Sequence, residues 1–457
     1  MSIWQSEKGS ISKMKKMNAF CKRYIEENLE ECARTGREEL DYLEHSTAKY
    51  KGETIYSLHV PKIFTEEAEA VVKDAAETMF GILQKVMQEY MRSASYRKLF
   101  GFSGELEDMI LNTPHYENLL PICRVDIFLN EEDYSYKFCE FNGDGTSSMN
   151  EDRELNLAFQ RTALYKRLEQ EYEIKSFELF DSWAAEVKKL YESTGASVKD
   201  ARIAVVDFME KGCSVYEFEE FCKAFRKVGF QAQVCEIRDL VYDGDHLCTK
   251  EGQPIDVIYR RAVTSDIMAH KEEVQDFLQA VKEKKVCMMG DFCTHVIHDK
   301  ILFSLLRHPA TREILTEEEN AFVEAHIPYT SNLTDEEIAR EKVVDTKDNW
   351  IIKPEDSYGA KGVFSGKNHT TKEWEQLVEK HKNQDYLLQE YVTPYQSYNI
   401  DFHPGKPAEF KKYSNLTGLY VYNGKFAGIY SRQSEKEIIS TEYDENDVAS
   451  LVVRKKR

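Results

Sequence analysis

Several familiar signatures are missing from this 457-residue chain, and each absence removes a class of function. Its ten cysteines include no CxxC pair and are dispersed through apparent strands and helices, as at Cys123, Cys139 and Cys287. That pattern fits buried, reduced thiols in a cytoplasmic protein better than a disulfide framework. The twelve histidines contain no HExxH, so the helix-borne zinc pair of metalloproteases is absent. GxGxxG is missing, which removes the dinucleotide fingerprint, and so is GxxxxGK[ST], which removes the Walker A loop. No apolar run approaches the ~18 residues needed to cross a bilayer. The start of the chain, MSIWQSEKGSISKMKKM, has no apolar h-region, so no signal peptide is expected. A basic stripe is also lacking: the formal net charge is -20, which argues against a duplex nucleic acid partner and permits a cationic substrate. There is no internal repeat, no low-complexity linker, and no evident Ser-His or Cys-His constellation.

What is present is a globular composition, 42% hydrophobic and 12% aromatic, long enough for two to four domains. Residues 1–118 read as mostly helical. MNAFCKRYIEENLEECA and EEAEAVVKDAAETMFGILQKVMQEYM carry apolar residues at helical spacing, the second introduced by Thr65 as N-cap. HSTAKYKGETIYSLHVP between them predicts a short strand. Residues 119–195 open with two strands and continue as a helical run from about Glu154 to Ser193. Residues 196–295 change character: ARIAVVDFM, VYEFEEFCKAFRKVGF and QAQVCEIRDL give strand, helix, strand, and IDVIYRR a further strand, which is a parallel βαβ arrangement. The strand-end residues Arg260, Arg261 and Asp266 lie where an open parallel sheet presents ligand groups. Residues 296–457 read as a strand, flexible loop and strand (NWIIKPEDSYGAKGVFSG), a further strand (YLLQEYV), and an antiparallel meander turning at Asn423-Gly424.

The stretch with most chemistry is ICRVDIFLNEEDYSYKFCEFNGDGTSSMNED, from Ile122 to Asp152. Side chains alternate along a strand, so Arg124 and Asp126 share a face, as do Glu140 and Asn142. With an odd hairpin loop the two faces coincide, and Arg124 is expected opposite Glu140, with Asp126 and Asn142 nearby. Asp, Glu and Asn oxygens suit Mg2+, usually together with substrate phosphates, and the guanidinium would neutralise a transferring phosphoryl group. The plain alternative is a hairpin with a solvated polar face.

Further along, Lys353 ends the hydrophobic strand WIIKP, where a lysine is costly unless paired. SYGAKG follows, with Gly359 and Gly362 allowing close backbone approach and Lys361 adding charge, which suggests a phosphate loop; an ordinary hairpin loop is the alternative. Lys300, in HDK, is a second candidate cation. QEYV, Gln389 to Val392, pairs polar with apolar residues at a strand end, as an adenine slot would. Arg432, in IYSRQS, is a candidate for an anionic ligand. His295 and His298 sit three apart on a predicted helix, where ordinary helix polarity competes with a transition-metal site.

Taken in order, CRVDIF, KFCEFNGDGTSSMNE, VIYRR, HDK, WIIKPEDSYGAKGV and LLQEYV resemble the circularly permuted ATP-grasp family, in particular the synthetase domain of glutathionylspermidine synthase and its relatives. In ordinary ATP-grasp enzymes the acidic metal strands follow the phosphate loop; here R-x-D and E-x-N precede it. The resemblance spans roughly residues 120–435. It implies an α/β (α+β) fold: a circularly permuted ATP-grasp core in two parts, 119–195 for metal and 296–457 for nucleotide, a Rossmann-like pre-ATP-grasp βαβ domain at 196–295, and a helical region at 1–118 packed on the core. It implies ATP and Mg2+ as cofactors, with Asp126, Glu140 and Asn142 on the metal and Arg124 on the transferring phosphoryl. Lys300 and Lys353 would contact ATP phosphates, Ser357, Tyr358, Gly359, Ala360, Lys361 and Gly362 would close over them, and Gln389, Glu390, Tyr391 and Val392 would line the adenine site. Ser147, Ser148 and Glu151 would face an acid substrate. The implied activity is ligation of a small-molecule acid to an amine through an acylphosphate, with no membrane or nucleic acid partner. An inactive ATP-binding regulatory protein and a small-molecule kinase are the other readings. Two departures touch the substrates: GDGTSSM replaces the family's Ala-Asp-Thr-Pro run, and the family's acidic pair for polyamine binding falls among Glu217, Glu219 and Glu220 without a clear register. Nothing in these residues resembles the amidase domain of the bifunctional relatives, so no hydrolysis of the product is expected.

Overall fold

The computed structural model describes residues 12–210, 213–356, 360–439 and 444–456. Its centre is a six-stranded antiparallel sheet. In spatial order the strands are Asn446–Val448, Lys425–Ser434, Phe410–Tyr422, Ile122–Leu129 and Tyr136–Asn142, with Gln396–Ile400 pairing the other end of Phe410–Tyr422. The hairpin and the late meander, far apart in sequence, are thus one sheet. Asn423 and Gly424 both have positive φ (47° and 81°), the backbone that a two-residue hairpin needs to match strand twist.

Alternation divides this sheet into two unlike faces. Cys123, Val125 and Ile127 enter the main core together with Leu419, Val421 and Ile429. The 27-residue helix Glu66–Arg92, capped by the Thr65 hydroxyl, backs the two longest strands through residues such as Val72, Met79 and Leu83. The opposite face carries Arg124 and Asp126, which are 5% and 0% exposed. The solvated-face alternative therefore fails at Arg124 and Asp126, while Glu140 and Asn142 are half-buried.

A second, four-stranded antiparallel sheet runs Thr330–Asn332, Tyr386–Glu390, Trp350–Pro354, Phe364–Ser365. The helix Thr371–His381 closes its back with Trp374 and Val378 against Ile352 and Leu388. The third unit is fully parallel, in the order Cys287–Met289, Val257–Arg260, Arg202–Asp207, Gln231–Glu236. Helix Val215–Lys227 connects its last two strands. Three of these are the strands expected from the βαβ pattern, and Cys287–Met289 joins them as a fourth.

Two segments depart from the sequence reading. EYEIK, inside the stretch read as helical, forms strand Tyr172–Lys175. It pairs antiparallel with Ser450–Lys455, which pairs parallel with Lys62–Thr65. Three distant pieces make this sheet, so local periodicity could not announce it. The short strand expected near residue 50 is a two-residue pair, Lys49–Tyr50 with Glu53–Thr54.

Leu419, fully buried between the sheet and its helical backing, measures how firmly the polar face is supported. Leu419→Ala should lower unfolding free energy by about 2–5 kcal/mol, read from the denaturant midpoint; an unchanged midpoint would contradict this packing.

Candidate functional site

Across the hairpin, Arg124 stands opposite Asn142 and Asp126 opposite Glu140. The expected pairing of Arg124 with Glu140 is corrected: the loop between Leu129 and its partner Tyr136 is even, which by itself would set Arg124 opposite Phe141, and a bulge beside Asp126, with Cys139 as the extra residue, moves the pairing on by one to Asn142. Directly opposed residues share a face, so all four still project to the same side. The row continues across the sheet. Gly418 lies opposite Asp126 and Tyr420 opposite Arg124, while Tyr430 faces Gly418 and Arg432 faces Leu416.

Charge on this face is balanced locally. Arg124 donates to both Asp126 oxygens at 2.8 and 3.1 Å. Arg432 donates to Asp126 Oδ2 at 2.5 Å and pairs with Glu445 at 3.3 Å. Lys300 lies 3.3 Å from Glu140. Burial alone would raise Glu140's pKa, but Lys300, with His298, Arg432 and Lys353, more than offsets it and holds the carboxyl at about 2. Lys353 is 5% exposed. Burial, with Lys300 adding to it, pushes its ammonium down to about 8.

The two antiparallel sheets enclose a cavity between them. Glu140, Lys300 and Arg432 line it from one side, and Ile351, Lys353 and Gln389 from the other. Register explains the second group: Ile351 lies opposite Gln389 and Lys353 opposite Leu387, all on one face. From Lys353 to the Trp350–Glu390 pair is three residues, about 10 Å of strand. Lysines therefore gather at one end of the cavity, and Glu390, Tyr391 and Val392 at the other. Ala360, with φ 57°, also lines it. Gly362 follows at φ 72°, where a Cβ would meet the Tyr386 hydroxyl at 2.7 Å. Ser357, Tyr358 and Gly359 lie outside the described residues. Lys361 is exposed.

The oxygen donors suit a hard divalent cation. Asp126, Glu140 and Asn142 converge from adjacent strands, but Asp126 is engaged by two guanidiniums. Among the described residues no group of three His, Cys, Asp or Glu is placed to hold a metal by itself. Such an incomplete set fits an ion that arrives with phosphates, as Mg2+ usually does, rather than a permanent protein cage. His295 and His298 are both buried, and among the described residues neither belongs to a group that could hold a metal.

The expected substrate residues are placed around the loop after the hairpin. The Ser147 carbonyl accepts from Arg124 at 3.0 Å and from Tyr420 at 2.7 Å. Ser148 has φ 79°. Glu151 is buried with Oε2 unpartnered among the described residues, and burial, then Glu217, raises its pKa. Arg261 pairs with Glu217 at 3.0 Å and binds the Thr146 carbonyl. Glu217 also accepts from the Met149 N–H at 2.7 Å, so these two groups fasten the loop to the parallel unit. Glu220 pairs with Arg153 at 2.5 Å, while Glu219 is exposed. Asp266 sits half-buried on the following helix.

Sequence reasoning missed Gly418, Cys139, Glu437 and Glu445. A Cβ on Gly418 would lie 2.7 Å from Arg124 Cδ and 2.9 Å from Asp126 Oδ1. A glycine inside the strand LTGLY is the signal for such close approach. Glu437 holds the Tyr391 hydroxyl at 2.5 Å; neither it nor Glu445 carries a local signal, because both come from loops.

The profile of the circularly permuted ATP-grasp type 2 family matches residues 168–426. No curated protein sequence matches the chain. Among solved structures, the apo form of a glutathione synthetase-like effector from Globodera pallida is similar over 91% of this chain and 96% of its own, at 10% identity and TM-score 0.63. A D-alanyl-alanine synthetase A from Vibrio cholerae is similar over 54% of this chain and 71% of its own, at 12% identity and TM-score 0.29. At these identities the first likeness describes the fold alone, and the second adds nothing to it.

Gly418→Ala should push Arg124 and Asp126 apart and cost about 1–3 kcal/mol of stability. Thermal and denaturant unfolding check this; a variant as stable as the parent would show that the glycine is not needed for the Arg124–Asp126 pair.

Proposed function

This chain belongs to the circularly permuted ATP-grasp type 2 family, and on that premise we propose that it is an ATP-dependent ligase joining a carboxylate to an amine. One observation carries the reading: two facing sheets bring Lys300, Lys353, Arg432 and Glu140 to a single cavity, beside the Arg124–Asp126 pair. ATP would lie between the sheets, with its base toward Glu390–Val392 and its phosphates toward the two lysines. Asp126, Glu140 and Asn142 would hold Mg2+ on those phosphates, which supplies charge neutralisation as the γ-phosphoryl moves. Arg124 and Arg432 would turn from Asp126 toward the same developing charge.

The chemistry needs no side-chain nucleophile. The substrate carboxylate attacks the γ-phosphorus, the bond to ADP breaks, and an acylphosphate forms. The amine then attacks the acyl carbon, a C–N bond forms, and phosphate leaves. Positioning and electrostatics supply most of the acceleration. The motif resemblance to glutathionylspermidine synthase makes glutathione and spermidine the first acid and amine to try.

The hold of two arginines on Asp126 is the observation that favours the other reading, an ATP-binding protein without ligase activity. An ADP-release screen of acids against amines, with Mg2+, separates them. ADP that requires acid and amine together supports the ligase; ATP-dependent thermal stabilisation with no ADP from any mixture supports the regulatory protein. A kinase would release ADP without giving a hydroxamate in the presence of hydroxylamine.

Glu140→Gln should lower ADP release by about 100-fold or more, since it removes charge at the metal. Release at the parental rate would sink the assignment of the hairpin. The low Lys353 pKa gives a second expectation. Phosphate binding needs the ammonium, which is charged in the fold below about 8 and lost above it. ATP affinity should therefore fall as pH rises through about 8, by at most ~10-fold per unit, and Lys353→Met should flatten that dependence. Titration calorimetry between pH 7 and 9 checks this; a flat parental profile contradicts it.

A further inference from the structure

Thr330, Gln389 and Ile351 form one row across the second sheet, because Gln389 lies opposite Thr330 on one side and opposite Ile351 on the other. Directly opposed residues share a face. Gln389 and Ile351 line the cavity between the sheets, whereas Thr330, 4% exposed, stands next in the row and does not. The two polar side chains are joined. Gln389 Nε2 donates to Thr330 Oγ1 at 2.8 Å, and the same hydroxyl donates to the Pro328 carbonyl at 3.0 Å. This chain of bonds has one direction. A hydroxyl carries a single proton, and the Pro328 carbonyl takes it. Turning the amide over would set its oxygen against Oγ1, so two acceptors would compete for that proton and one buried group would go unpaired. Thr330 therefore holds the amide nitrogen, and Gln389 Oε1 is left over. Among the described residues that oxygen accepts no hydrogen bond, and it is not sealed in the interior as the buried unpaired atoms are.

We propose that Thr330 sets the base specificity of the nucleotide site by fixing Gln389 Oε1 as an acceptor for the exocyclic amino group of adenine; this rests on the nucleotide reading above. The position suits a base. Gln389 and Ile351 lie two residues along the strands from the Lys353–Leu387 pair, about 7 Å, on the side of Glu390, Tyr391 and Val392. Adenine carries an amino donor at position 6, where guanine and hypoxanthine carry a carbonyl oxygen. An acceptor that cannot turn bonds to the first and sets a lone pair against a lone pair in the others, so it both selects and rejects. A glutamine free to rotate would discriminate poorly, because it could offer its NH2 to the carbonyl instead. The selectivity is thus stored in a threonine off the cavity wall. Thr330 is a positioning residue, and Gln389 is the group that it aims.

Titration calorimetry of the full chain with Mg2+ and either ATP or inosine triphosphate reads this without acid, amine or turnover. The two bases differ at position 6 and in whether N1 carries a hydrogen. The parent should bind ATP about 10–100-fold more tightly than inosine triphosphate. In Thr330→Val that ratio should fall by about 10-fold or more, chiefly because inosine triphosphate binds more tightly than it does to the parent. Thr330→Ala removes the same hydroxyl without the second methyl and should behave the same way if the valine variant does not fold. Thr330→Ser keeps the hydroxyl and should keep the parental ratio. Gln389→Met, without the amide, should lose the preference through weaker ATP binding. If Thr330→Val and Thr330→Ala bind both nucleotides more weakly by one factor, with the parental ratio kept, the threonine serves packing only and the assignment is overturned. A parent that binds ATP and inosine triphosphate equally also overturns it, while leaving the nucleotide site in place. A parent that binds neither overturns the nucleotide reading itself, and this assignment with it.

Discussion

The structure depends on keeping one buried carboxylate neutralised. Asp126 is fully enclosed in a sheet whose other face is the hydrophobic core, and an unpaired charge there would cost several kcal/mol. Two guanidiniums from different strands solve this, and Glu445 balances the second of them. The arrangement dictates its surroundings. Gly418 must lack a side chain because Arg124 and Asp126 fill that space. Tyr430 stays between the arginines, each guanidinium lying 5.5 Å from its ring centre. The long helix behind the sheet must hold the strands in one register, because a slip by a single residue would turn the whole polar row into the core.

That same balance suits chemistry on anions. A buried face already rich in cations on rigid strands offers preorganised electrostatics, with little reorganisation as charge develops. Lys300 and Lys353 extend the positive ground across the cavity to the second sheet. In the proposed function Glu140, Asp126 and Asn142 would supply the oxygen set on which a phosphate-borne cation completes its coordination. Phosphoryl transfer asks for these features and little else from the protein.

How much of this could be read in the amino-acid sequence followed from where each signal is stored. The hairpin, the parallel βαβ unit and the lysine strand declare themselves through local alternation and turn residues, so the family and its fold class were legible. The partner of each hairpin residue was not, because one extra residue at Cys139 changes who faces whom without changing the composition of either strand. Strand Tyr172–Lys175 hides inside a helical pattern, since the strand it pairs with, Ser450–Lys455, lies almost 300 residues away at the other end of the chain. Glu445 and Glu437 reach the cavity from loops, where nothing in the adjacent residues predicts it. The solvated-face alternative for Arg124 and Asp126 failed because their cover comes from Arg432 on a distant strand and from the loop at Ser147, not from the strand itself. Ser357, Tyr358 and Gly359, read as part of a phosphate loop, lie outside the described residues.

The central claim is that this polar row and the facing lysines form one phosphate and metal site. A crystal structure with a non-hydrolysable ATP analogue and Mn2+, with the metal located by its anomalous signal, tests it most directly. The account predicts a peak within about 2.5 Å of oxygens from Asp126, Glu140 or Asn142, with Arg432 released from Asp126 onto phosphate and Lys300 and Lys353 on the same phosphates. Nucleotide bound elsewhere, or Mn2+ away from the hairpin while both arginines keep Asp126, would contradict it.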